Sequence, residues 1–121
     1  MKARKTRSIF GVVYGCDPPN VFKARSIVIH NLRKMQITLV TPEELEQARS
    51  LLIRQITISE SSIDSIAETL LDLSLEELPL DEPTRAARRY LDITAPDIQA
   101  AFAQWIRPDE LVQITLGPEP R

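Results

Sequence analysis

The side chains in this 121-residue sequence that could do chemistry are one imidazole, one thiol and a few paired charges. His30 is the single histidine, followed by Asn31, Leu32, Arg33 and Lys34. Zinc-dependent hydrolysis of the H-x-x-E-H kind takes two histidines on one helical face to hold the ion, and a glutamate between them to activate water. One imidazole followed by two cations supplies neither, and Asp and Glu with a lone His make a poor zinc set, so His30 reads as a boundary or surface residue. Cys16 is the single cysteine, which excludes an intrachain disulfide. No base accompanies it to activate the thiol, so a buried, inert side chain is expected.

The paired carboxylates Glu43-Glu44 and Glu76-Glu77 converge on nothing, because adjacent residues on a helix point about 100° apart. Helix caps and solvated faces are their expected roles. Arg85, Arg88 and Arg89 form a small basic cluster that would grip a carboxylate or the acidic strip of a partner; the ordinary alternative is a solvated helix face. Phe102 and Trp105, spaced three apart beside Ile98 and Ile106, read as core rather than a ligand shelf. Three glycines, none in motif spacing, exclude a phosphate-cradling loop. The sequence therefore predicts a chain with no catalytic residue, no metal ligand and no cofactor of its own.

The elements that position these residues follow from local signals. Residues 8–15 are rich in β-branched and aromatic types and predict a strand. Asp17-Pro18-Pro19-Asn20 breaks it, with Asn20 as the expected N-cap of a helix over Val21 to about Ile37. Val21, Ala24, Val28, Leu32 and Met35 form the apolar stripe of that helix. Thr41-Pro42-Glu43-Glu44 is a capping box with proline where no amide hydrogen is needed. The helix it opens presents Leu45, Ala48, Leu52 and Gln55, with Leu51 beside them. A kink or short break is expected near residues 57–61, then a helix whose face is Ile63, Ile66, Ala67, Leu70 and Leu71. Asp81 is expected to cap a short helix using Ala86, Ala87, Tyr90 and Leu91. Thr94-Ala95-Pro96-Asp97 repeats the capping box ahead of Ile98, Ala101, Phe102, Trp105 and Ile106. Residues 111–116 predict a second strand, ended by Gly117-Pro118.

Composition suits a soluble globular domain: 43% hydrophobic and 26% charged residues, with no apolar run near the ~20 residues a membrane span takes. Residues 1–40 hold eight Lys or Arg against one Asp, and the rest seven against sixteen acids. A basic start could touch nucleic acid or anionic lipid, but the acidic remainder and the lack of interleaved aromatics favour a solvated arm. Contact with nucleic acid through that arm would show as steep salt dependence lost on deleting residues 1–7. The apolar stretch after the arm carries Gly11, Tyr14 and Gly15, unlike a signal-peptide core.

In order and spacing, these pieces resemble a known family. Val40-Thr41-Pro42-Glu43-Glu44-Leu45 looks like the "T-x-x-E-L" turn that opens a long helix in insulinase and mitochondrial-processing-peptidase-type domains. Ile93-Thr94-Ala95-Pro96-Asp97-Ile98 resembles the family's entry into its final helix, and Leu111 through Pro118 its closing strand. The resemblance covers residues 8–118. It implies an α+β fold of two layers, with helices on one face of a small mixed or antiparallel sheet. It divides the chain into a basic flexible arm (1–7), the C-terminal portion of an inactive peptidase-like domain (8–118) and a tail (119–121). The earlier strands, helix and loops of such a domain would precede residue 8.

Family members pair a zinc-binding with an inactive domain around a chamber, so the implied partners are a catalytic zinc-peptidase domain or subunit and a peptide substrate. Zinc would sit only in that partner. The resemblance favours the periplasm of a Gram-negative bacterium, with the cytoplasm as alternative. A second reading, independent of the family, is a helix-rich module that self-associates, as a homodimer, to cover bare apolar faces.

Overall fold

The computed structural model describes residues 2–3 and 8–119. Among them, five α-helices carry the fold: α1 (Val21–Ile37), α2 (Pro42–Ser59), α3 (Ile63–Leu75), α4 (Glu82–Asp92) and α5 (Ala95–Trp105). Among the described residues, regular β-structure is confined to two residues a side, β1 (Lys2–Ala3) antiparallel to β2 (Ser8–Ile9), with Lys2 opposite Ile9. The chain is essentially all-α, which overturns the expected two-layer α+β fold. The strand expected over 8–15 shrinks to Ser8–Ile9, and the one expected over 111–116 does not form. Both stretches have the composition of strands, but β-structure exists only as a ladder of paired backbones. No backbone hydrogen bond joins residues 10–16 or 111–116 to another described residue. Met1 and residues 4–7 of the expected arm, and Pro120 and Arg121 of the tail, lie outside the described residues.

The helix starts show which local signals prevail. At Thr41 both halves of the capping box form: the Glu44 amide donates to Thr41 Oγ1 at 3.2 Å and the Thr41 amide to Glu44 Oε2 at 2.8 Å. Thr94 and Asp97 repeat it at α5. Asn20 instead belongs to a single 3-10 turn, Pro18–Asn20, and its side chain caps nothing. Asp81 also gives no cap, because its carboxylate is taken by Arg85 Nε at 2.8 Å. The expected break falls at residues 60–62, where Ser62 Oγ accepts from the Ser65 amide and restarts the helix. Glu77 closes α3 in the left-handed region (φ 54), where the Leu78 amide reaches back to the Leu73 carbonyl at 2.8 Å.

The α5 cap makes one prediction about acid. Hydrogen bonds from the Thr94 hydroxyl (2.6 Å) and amide (2.8 Å) hold the Asp97 carboxyl below the usual aspartate range. A lowered folded value means the carboxylate contributes stability above the unfolded value, and that contribution fades as pH falls through the lowered one. Amide-exchange protection at Thr94 and Asp97, relative to intrinsic rates, is therefore expected to hold from neutral pH down to the ordinary aspartate range and to fall below it. In Asp97→Asn the same step should vanish.

Two helix pairs carry the packing: α1 lies on α5 and α2 on α4, while α3 touches α2 more sparsely. Each pair is closed by the same device, a side chain of the longer helix donating to carbonyls at the end of the shorter. Gln36 Nε2 donates to the Phe102 and Ile106 carbonyls at 3.2 and 2.8 Å. Arg49 Nε donates to the Tyr90 carbonyl at 3.1 Å, and its Nη2 to that of Ile93. Arg33 pairs with Asp109 just beyond α5, and Phe10 meets Phe102 edge-on at 6.2 Å.

Candidate functional site

The core is nearly absent. Leu32, at 7% exposure, is the one buried side chain among the described large hydrophobics. The accessible surface is 10102 Å², whereas a compact monomer of 13.7 kDa exposes about 6,600 Å². The surplus, about 3,500 Å², exceeds what one side of an obligate protein interface usually buries, about 1,000–2,500 Å². The surface itself is the candidate site.

Its first part is the outer face of α3. The stripe expected to be core is left uncovered in part: Ile63 and Leu71 are 85% and 60% exposed, Ile66 and Leu70 40% and 41%. The half-buried positions are Ser65, Thr69 and Leu73, with Glu76 at the C-cap. Leu51, Leu52 and Ile58 on α2 are exposed as well. An amphipathic helix with its apolar stripe in water is the reverse of how an isolated domain packs.

A groove of about 430 Å³ above α1 forms the second part. Its walls are the unpaired segments 10–16 and 111–116, and its floor is Val21, Arg25, Val28 and Ile29. Arg25 Nη2 donates to Thr115 Oγ1 at 2.9 Å, which ties one wall to the floor. Residues 112–116 are otherwise exposed along their length, as are 11–16.

The residues weighed for chemistry are scattered. His30 is exposed on α1, and Cys16 is exposed on the groove wall, not buried as expected. Trp105, expected in the core, is 74% exposed, whereas Phe102 and Ile106 turn inward. Of the basic cluster, Arg85 is held by Asp81 and Arg89 by Glu82, both on or next to its own helix. The Arg85 guanidinium holds the Asp81 carboxyl below its usual range, with Arg88 adding a weaker attraction. Two of the three arginines are thus occupied within α4 and its cap, which leaves little of the cluster to grip a partner.

The sequence reading missed Arg49. Its signal is its position: it follows half-buried Leu45 by one helical turn on the face that meets α4. No group of three or more His, Cys, Asp or Glu side chains able to hold a metal occurs among the described residues. None of their helices is long and apolar enough to cross a membrane. Comparisons with protein-family models, curated proteins and solved structures find no match to this chain.

Proposed function

We propose that this chain is a non-catalytic scaffold that completes its fold against a partner polypeptide and lends that partner shape and contact surface. The carrying observation is the excess of accessible surface together with the many large apolar side chains left in water, those of the α3 face and the groove walls among them. The partner the sequence resemblance implies is a catalytic zinc-peptidase domain, with this chain as part of the inactive half that helps to hold peptide substrate. The residues that carry that resemblance form two capped helix starts, a local feature common to many folds, and residues 111–116 form no strand.

Co-expression with an insulinase-type zinc-peptidase catalytic domain tests the reading. The expected result is a monodisperse complex, while the chain alone binds a hydrophobic dye. Ile63→Lys with Leu71→Lys should leave the helical signal of the free chain unchanged and abolish the complex, since these residues are 85% and 60% exposed in the free chain. A free chain that sediments as a compact monomer, binds no dye and ignores the catalytic domain rejects it.

The bare α3 stripe also favours a second reading, self-association through that face. Sedimentation over a dilution series separates the two: a dimer that persists without the peptidase domain and is lost in the same double variant supports the second.

A further inference from the structure

We infer that the outer face of α3 receives the outer face of α1 from a second copy of this chain, with the α1 lysines set against the α3 carboxylates. This pairing rests on the self-association reading above and names the surface of the second copy that α3 meets.

Charge is divided sharply between the two helices. α1 carries Lys23, Arg25, Arg33 and Lys34 and no acid. Arg25 is engaged by Thr115 and lies over the Phe22 ring, and Arg33 pairs with Asp109. Lys23 and Lys34 enter no ion pair among the described residues. At about 100° per residue, both stand within about 40° of the point opposite buried Leu32, as do Ile27, His30 and Ile37. Ile27 and Ile37 are 49% and 77% exposed. The outer face of α1 is therefore basic, with apolar side chains in water between its charges.

α3 is the complement. Ile63, Ala67, Leu71 and Leu75 repeat every four residues along its exposed side, and Asp64, Glu68 and Asp72 form an exposed row one residue on. These three carboxylates enter no ion pair among the described residues. Residues 55–80 contain no Lys, Arg or His that could neutralise them from nearby in the chain. At about 1.5 Å per residue, Asp64 to Asp72 spans about 12 Å and Lys23 to Lys34 about 16–17 Å. The flexible lysine stems close that difference.

Charge also selects among the faces a second copy could offer. α3 against α3 covers the apolar rows but sets acid beside acid, with no cation from either helix. α1 against α3 covers apolar side chains on both helices and sets cation beside carboxylate. Exposed ion pairs contribute little one by one, so the apolar cover supplies the affinity and the charges choose the face. The contact is reciprocated within a two-fold dimer or repeated head to tail, and the same residues meet in both.

Sedimentation of the full chain over a dilution series at low salt tests this pairing with two charge reversals at exposed positions. Lys23→Glu with Lys34→Glu, and separately Glu68→Lys with Asp72→Lys, should each keep the helical signal and weaken self-association about tenfold or more. An equimolar mixture of the two variants should associate as the wild type does, because each supplies the charge the other lacks. Three results overturn the pairing while self-association stands: reversals without effect, a Glu68/Asp72 variant that associates more tightly as a symmetric α3 contact requires, or a mixture that stays monomeric. A wild-type chain that is monomeric at every concentration instead removes self-association itself, and this pairing with it. Should a reversal unfold the chain, the wild type decides: its association should weaken as salt rises, and association that holds or strengthens marks a purely apolar contact and overturns the pairing.

Discussion

Leu32→Ala is expected to dissolve the α1–α5 pair. Leucine-to-alanine changes in cores cost about 2–5 kcal/mol, the transfer free energy of the lost methyls plus the cavity they leave. Leu32 lies on the face of α1 that also carries half-buried Val28, Ile29 and Met35, and every one of those neighbours is more exposed than it is. Partial access of water to the site places the cost in the lower part of that range, about 2–3 kcal/mol. Native domains hold only about 0.05–0.15 kcal/mol per residue in reserve, and a chain burying so little holds less. The variant should lose helical circular dichroism at lower urea and lose amide protection across α1 and α5. Leu71→Ala is the control: at 60% exposure its loss should stay within about 0.5 kcal/mol. Equal effects from the two substitutions would mean that Leu32 is no more a core residue than Leu71.

That contrast shows which parts of the fold could be read from residues alone. The capping boxes at Thr41 and Thr94 were legible because each closes within four residues, and no distant group competes for those hydrogen bonds. Asp81 looked the same in sequence, but Arg85 one turn later claims its carboxylate, a competition that type and spacing permit without deciding. Helix extents were legible from periodicity: α1 spans the residues its stripe marks out. Which stripe is covered was not. Ile63, Ile66, Leu70 and Leu71 form a regular apolar face, yet in this chain the better-covered side of α3 is the one carrying Ser65, Thr69 and Leu73. A stripe records that a face prefers to leave water, not which molecule receives it. The strands failed for a related reason. Helical hydrogen bonds are local, whereas residues 111–116 need a neighbour that sequence composition cannot supply. The α3 stripe and the unpaired walls are both places where local preference and the chain's own packing disagree.

Arg49→Ala is expected to release α4 from α2 and leave α1 and α5 as they are. The Arg49 guanidinium is 22% exposed and donates to two backbone carbonyls, those of Tyr90 and Ile93, where α4 ends. These carbonyls have no partner within α4, and a cation there also offsets the negative end of the helix dipole. A hydrogen bond from a charged donor contributes about 1.5–3 kcal/mol, and the two share one side chain, so the loss should fall near the upper end, about 3 kcal/mol. Glu46, 3.6 Å away and largely exposed, adds little. Arg49→Lys should recover only part of the loss, because one ammonium cannot span both carbonyls as the planar fork does. The effect should stay local, since Gln36 of α1 donates to the α5 end and, among the described residues, no side chain of α2 does. Residue-resolved amide exchange decides it: protection should fall across residues 86–92 and persist in α1 and α5. Equal loss in all helices would show that Arg49 supports the whole chain, and unchanged α4 would show that its two hydrogen bonds are replaced by water at no cost.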